Sequence, residues 1–222
     1  MHLILASASP RRADLLRAAG FAFEVRAVEV DERVLDGEEP REYVTRLAIA
    51  KAARALEMVG PGPGEPRRRR GSAEAGRSRS RGTPVGSLDV LIIGADTAVV
   101  VDAEILGKPV DQADAERMIR RLSGRTHEVL TGVSVQTGSV RAVGVDETRV
   151  FVDRLDEEQI VWYVGSGEGL DKAGAYAIQG LASRFIRRIE GSYSNVVGLP
   201  IALVDTLIRD VLGGSRILAS AR

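Results

Sequence analysis

The sequence contains no cysteine and only two histidines, His2 and His127. Disulfides, thiolate nucleophiles and Cys-ligated zinc or iron–sulfur sites are therefore excluded, and two histidines are too few for a His-rich metal site. Any metal must be held mainly by oxygen, which favours Mg²⁺ or Mn²⁺. Lysine is also scarce: of 31 basic residues only Lys51, Lys108 and Lys172 are lysines. Lysine and arginine are not equivalent at a compact phosphate site, so each of the three positions matters. No apolar run approaches the roughly 18 residues of a membrane helix. Met1 to Pro10 lacks the basic start and apolar length of a signal peptide. A soluble cytoplasmic protein is expected. Formal net charge is zero, so the molecule as a whole is no electrostatic magnet for nucleic acid or membrane.

What is present suits a globular enzyme. The 222 residues, 44% hydrophobic, fit one large domain or two small lobes. The neutral balance hides a local excess, because residues 60–88 hold seven Arg and two Glu, a net of +5. This Gly-, Pro-, Ser- and Arg-rich stretch has no periodic apolar content and cannot bury a core. It reads as a disordered surface insertion; the alternative is a tether for nucleic acid or phosphoproteins.

The stretch from Val90 to Pro109 organises the rest. An apolar run, Val90 to Ile93, predicts a buried strand that stops at Gly94 and leaves Asp96 and Thr97 at its end, where α/β proteins present chemistry. A second apolar run, Ala98 to Val101, passes through a tight turn at Asp102-Ala103 to a returning strand at Ile105-Leu106 and on to Lys108. Upstream, His2 to Ala6 reads as a strand. Ser9 and Pro10 then suit the N-cap and first position of a helix. Arg11 and Arg12 fall in its first turn, where the helix dipole disfavours cations; either an anion docks there or two arginines are simply solvated. Phe21 to Val25 predicts a second strand, with Asp31-Glu32 in the loop beyond. A long helix from Pro40 places Lys51 on the apolar face of Val44 and Leu47, where it snorkels outward or meets an anion.

Downstream, Asp111 caps a helix to about Leu122, with Asp114 completing a capping box. Glu128 to Gln136 and Val140 to Val152 predict two strands, and Asp156 to Val164 a short helix. Gly165 to Gly169 imitates a nucleotide loop but lacks the preceding strand and the glycine spacing, and reads as a linker or lid hinge; Gly107-Lys108 is followed by Pro109 and is no P-loop. Phe185 to Ile189 predicts a strand, Gly191 to Pro200 a turn-rich segment, and Ile201 to Leu212 the last helix.

Five polar clusters lie at element junctions: Ser7 to Arg12, Asp31-Glu32, Lys51, Asp96 to Lys108, and Asp171 to Gln179. There is no Ser-His or Cys-His nucleophile pair. Carboxylates for a hard cation, together with Arg and Lys for oxyanions, are the inventory of metal-assisted water attack on a phosphoanhydride.

Five motifs sharpen this: Ala6-Ser-Ala-Ser-Pro-Arg-Arg12; Gly94-Ala-Asp-Thr97 with Lys108-Pro109; Leu122-Ser-Gly-Arg-Thr-His127; Asp171-Lys-Ala-Gly-Ala-Tyr176 with Gln179-Gly180; and Gly191-Ser-Tyr-Ser-Asn-Val-Val-Gly-Leu-Pro200. In this order the chain resembles the Maf family of nucleoside triphosphate pyrophosphatases, linked to septum formation in bacteria. The resemblance covers nearly everything except residues 60–88 and the tail. It implies an α/β fold similar to the inosine triphosphate pyrophosphatases, a mixed twisted sheet with flanking helices and two lobes around a central cleft. The domain would span residues 1–212, interrupted by the insertion, with 213–222 a frayed tail.

The implied activity is hydrolysis between the α and β phosphates, with a divalent metal, Mg²⁺ or Mn²⁺. The implied partner is a small-molecule nucleoside triphosphate, with no membrane, nucleic acid only through the insertion, and a possible homodimer. Carried across by motif, Asp96 is the proton acceptor and, with Glu32, a metal-side carboxylate. Ser7, Arg12, Lys51 and Lys108 handle substrate, and Lys172 is a further candidate contact. Arg11, Thr97 and Gln179 tune base specificity. The Gly-Ala-Asp-Thr and Ile-Gln-Gly versions resemble the branch acting on dTTP and UTP rather than that acting on 7-methyl-GTP, and a glutamine amide is suited to a pyrimidine edge.

Overall fold

The computed structural model describes residues 1–59 and 90–213. Strand β1 (His2–Ala6) pairs parallel with β2 (Glu24–Val25) on one side and with β3 (Val90–Val101) on the other. The other edge of β3 pairs antiparallel with β5 (Thr126–Gln136), followed by β6 (Arg141–Val152) and β7 (Ile186–Glu190). The short β4 (Glu104–Leu106) folds back onto the end of β3. The result is a seven-stranded mixed sheet in the order β2-β1-β3-β5-β6-β7, with β4 beside β3.

Helices cover both faces. Side chains alternate along a strand, so Ile92, Gly94, Asp96, Ala98 and Val100 of β3 face α2 (Pro40–Val59). Leu91, Ile93 and Ala95 face α1 (Pro10–Ala18) and the helix Ile201–Val211, through Leu16, Val204, Leu207 and Ile208. Val99 and Val101 join a third cluster with α3 (Gln112–Leu122) and α4 (Glu157–Gly165). A strand buried on both faces must be apolar on both, which explains why β3 reads as nearly continuous hydrophobic sequence.

The feature that makes the site is a split in the sheet. β1 follows β3 from Val90 to Gly94, and β4 joins the same edge only at Val99. Between them Ala95, Asp96, Thr97 and Ala98 have no strand neighbour on that edge among the described residues, while β5 pairs them on the other. The expected strand end at Gly94 is therefore corrected: Gly94 and Asp96 both lie inside a strand of 12 residues. Gly94 is there because of a close approach. A Cβ on it would lie 2.2 Å from the Ala48 carbonyl oxygen of α2, and one on Gly132, opposite Asp96, would lie 2.3 Å from that of Val44. Two glycines bracketing Asp96 bring α2 onto the sheet at this level.

Other differences are local. The expected strand from Phe21 shortens to Glu24–Val25, because Phe21 and Phe23 pack against the cluster around Leu16 instead. The turn-rich Gly191 to Pro200 contains a short helix, α5 (Tyr193–Val197), capped by Ser192 and followed by α6 (Ile201–Val211). The insertion at residues 60–88 and the tail at 214–222 lie outside the described residues.

Candidate active site

The split is filled from above by the Ser7–Arg12 turn. Arg12 is buried, and its guanidinium donates to the Ala95 carbonyl (2.8 Å), the Gly198 carbonyl (2.8 Å), Ser7 Oγ (3.1 Å) and Thr97 Oγ1 (3.1 Å). It thus satisfies a β3 carbonyl that β1 and β4 leave unpaired, and buried backbone acceptors demand such a partner. Burial lowers the Arg12 pKa, while Asp96 and Glu32 act in the opposite sense. Thr97 Oγ1 also meets Thr131 Oγ1 at 2.9 Å, and Thr131 donates to the Asn195 carbonyl at 3.3 Å. Arg12 and Thr97 therefore weld α1, β3, β5 and the Gly191–Pro200 segment around the split. Ser9 stands at the N-cap of α1 but its hydroxyl makes no cap bond. The first-turn amides beside Arg11 are left available to an anion.

On the α2 side, Asp96 and Lys51 are each 7% exposed. Lys51 Nζ lies 2.6 Å from Asp96 Oδ1 and 2.6 Å from Glu32 Oε1. Of the two readings of a lysine on an apolar stripe, the structure selects the anion partner. Glu32 reaches Lys51 from a loop tied to α2: Tyr43 donates to the Glu32 carbonyl at 3.0 Å, and Arg46 pairs with Glu38 at 2.5 Å and donates to the Arg33 carbonyl at 3.0 Å. Burial works to raise the Glu32 pKa, but its hydrogen bond to Lys51 and the charges of Lys51, Lys108 and Arg12 outweigh this and hold it below the usual value. Its side chain is about half exposed, so water tempers these effects.

The far wall comes from the Asp171–Tyr176 segment. Gly174 donates its amide to the Gly107 carbonyl at 3.0 Å, holding this segment beside Lys108. Gly174 has φ +68, and a Cβ there would lie 2.9 Å from the Val99 side chain, so only glycine fits this left-handed approach to β3. Tyr176 meets the buried His127 Nε2 at 2.8 Å. Burial lowers the His127 pKa to about 4.

These parts enclose a cleft of about 330 Å³ lined by Ser7, Arg11, Arg12, Glu32, Lys51, Asp96, Thr97, Lys108 and Lys172, so nine of the ten candidate residues come together. Gln179 is exposed and is not among the lining residues. The lining holds five cations against three carboxylates, Glu32, Asp96 and Asp171. In a chain of zero net charge, that excess of +2 selects a polyanion. Lys108 is exposed and, among the described residues, has no ion-pair partner. The cleft is also two-sided. Asp96 points to the α2 face, whereas Thr97 and Val99 point to the other, where Val129, Val196 and Tyr176 add an apolar wall.

Reasoning from the sequence missed Tyr43, Thr131, Asp171 and the Gly198 carbonyl as parts of the site. Asp171 and Gly198 stood within quoted motifs, whereas Tyr43 and Thr131 carried no signal of their own. Among the described residues no three His, Asp or Glu side chains cluster as a ready-made metal site, and no helix is long and apolar enough to cross a membrane.

A mixed sheet split at its central strand, with a carboxylate–lysine pair in the gap and cations around it, defines an α/β protein built to handle phosphate. Comparison with known proteins makes this specific. The family model described as Maf-like protein matches residues 2–211, and the chain belongs to the Maf family. It is 47% identical over 213 residues to the dTTP/UTP pyrophosphatase of Anaeromyxobacter dehalogenans (strain 2CP-C), covering 94% of this chain and 93% of that protein. It is 46% identical over 209 residues to the dTTP/UTP pyrophosphatase of Koribacter versatilis, covering 94% of each. Against the dTTP/UTP pyrophosphatase of Symbiobacterium thermophilum the identity is 47% over 200 residues, covering 90% and 89%.

Proposed function

We propose that this protein is a nucleoside triphosphate pyrophosphatase that hydrolyses dTTP and UTP between the α and β phosphates, giving the monophosphate and pyrophosphate. The observation that carries the reading is Asp96, buried in the sheet split against Lys51 and opening on a cleft of net positive charge. Relatives of 46–47% identity over nearly the whole chain bear the corresponding name.

The triphosphate is held by Lys108, Lys172, Arg11 and the first turn of α1. Arg12 acts mainly as a brace, because four of its donor contacts go to protein oxygens. Asp96 orients the attacking water and takes its proton. Lys51 keeps that carboxylate aimed into the cleft and balances its charge. The leaving pyrophosphate departs as an anion, and cations already in place need no rearrangement to stabilise it.

Glu32 and Asp96 fit a divalent cation. Both are hard oxygen donors on the same cleft wall, and Mg²⁺ is commonly held by one or two carboxylates plus substrate phosphates rather than by a full protein cage. When bound there, the ion would neutralise phosphate charge and polarise the phosphoanhydride. The apolar wall at Val99, Val129 and Tyr176 suits a base. Thr97 lines the cleft on the side of this wall to influence base choice, while Gln179 belongs to the segment that supplies Lys172 and Tyr176. A cytoplasmic location and a homodimer complete the reading; light scattering reads the second directly.

With Mg²⁺ or Mn²⁺, the purified protein is expected to release pyrophosphate from dTTP and UTP in preference to other triphosphates, 7-methyl-GTP included. Asp96→Asn is expected to lower kcat by about 10²–10⁴-fold with the fold retained. Release of orthophosphate, or full turnover by Asp96→Asn, would overturn the assignment.

A further inference from the structure

Within this polyanion cleft a third carboxylate stands apart from the Asp96–Lys51–Glu32 group. Asp171 lines the cleft beside two of its cations. One oxygen, Oδ2, accepts from Arg11 Nη1 at 3.2 Å, and the other, Oδ1, lies 2.5 Å from Lys172 Nζ. Lys172 also donates to the Glu168 carbonyl. Arg11 belongs to the first turn of α1 and Asp171 to the loop after α4, so the pair spans the cleft between elements 160 residues apart. Asp171 is therefore a carboxylate strap across the cleft, holding two of its five cations.

We propose that Asp171 is a built-in competitor for phosphate: it occupies Arg11 and Lys172 until a phosphate group of the substrate or product exchanges with it. Three observations support exchange rather than permanent structure. The Asp171 side chain is 67% exposed, while those of Arg11 and Lys172 are 26% and 16% exposed. An exposed ion pair is weak, so a multiply charged phosphate outcompetes it. The contrast with Asp96 is direct, since Asp96 and Lys51 are both about nine-tenths buried and far harder to separate. The geometry is also that of a phosphate mimic, two oxygens of one anion each taking a different cation. The consequence is a moderated affinity. The enzyme gives up part of its attraction for polyphosphate, which keeps the pyrophosphate product from being retained.

The inference rests on the pyrophosphatase reading, but its test does not require turnover. Inorganic pyrophosphate is titrated into the full-length protein by calorimetry, for wild type and for Asp171→Asn, which keeps the side-chain shape and removes the charge. Binding is expected to tighten by about two- to fivefold, the scale of one exposed charge pair. Asp171→Ser, which removes the carboxylate differently, is expected to shift binding in the same direction. In turnover of dTTP, product inhibition by pyrophosphate should strengthen by a similar factor. A merely structural aspartate predicts the opposite sign, because a damaged cleft binds less. Unchanged or weaker pyrophosphate binding in both variants would overturn the proposal, whether or not the wild type hydrolyses dTTP. Failure of the wild type to release pyrophosphate from dTTP would overturn the underlying reading and leave the binding comparison standing.

Discussion

Replacing Lys51 with methionine isolates the central electrostatic claim. The substitution keeps an unbranched apolar stem of similar length on α2 and deletes only the ammonium. Asp96 is then left nine-tenths buried without its cation, and Glu32 loses the same partner. Breaking a buried pair by removing one member costs about 3–5 kcal/mol. Glu32 is about half exposed, and Arg12 also lies near both carboxylates, so the lower end applies, about 3 kcal/mol at pH 7. With a urea m-value of about 2 kcal/mol/M, that is a midpoint shift of about 1.5 M. Trp162, the single tryptophan, supplies the fluorescence signal. The effect carries a pH signature. Glu32 is depressed in the native protein: burial opposes its charge, and Lys51 leads the groups that favour it. A depressed carboxylate contributes stability above its unfolded pKa of about 4.3, and that contribution is lost as pH falls through the folded value. In Lys51→Met the burial persists and the Lys51 attraction is gone. The gap between wild type and variant should be widest at neutral pH and narrow below about pH 4.5. A midpoint shift under about 0.3 M, or a gap constant from pH 7 to pH 4, refutes the reasoning.

Gly94→Ala drives a methyl group into backbone atoms of α2 at Ala48 and Ala52, which cannot rotate away. A loss of about 1–3 kcal/mol is expected from thermal melts, with dTTP turnover falling as Lys51 is carried off Asp96; a neutral melt would contradict the close approach. His127 stays neutral in the fold to about pH 4 because of its burial, whereas the unfolded chain protonates it near pH 6.5. Stability should therefore fall with pH across this window, by about 2–3 kcal/mol at pH 4.5. His127→Gln should flatten that slope in urea unfolding at pH 7 and pH 4.5.

The chemical inventory was legible in the sequence, and so was most of the secondary structure. The Asp111 cap, the long helix carrying Lys51 and the paired strands, expected at 128–136 and 140–152 and found at 126–136 and 141–152, follow from residues a few positions apart. Such patterns are local, and local hydrogen bonds and periodicity write themselves directly into residue order. Gly94 shows where this stops. A glycine after an apolar run looks the same whether it ends a strand or admits a helix against one, and only the packing of Ala48 distinguishes them. Lys51 shows it again: its apolar stripe was visible, but its partner lies 45 residues away.

Nine of ten candidate residues do meet in one cleft, yet their uses were decided by the fold. Arg12, read as a substrate contact, spends its donors on Ser7, Ala95, Thr97 and Gly198, the last 186 residues distant. Gln179 lies outside the lining, and Asp171, a member of a motif with no assigned role, lies within it. Sequence determined which functional groups the protein owns and the local elements that bear them. Tertiary structure decided which groups are neutralised, which are braces and which remain free for phosphate. That division follows because a charge's energy depends on what surrounds it in space, and those neighbours come from segments that residue order does not place side by side.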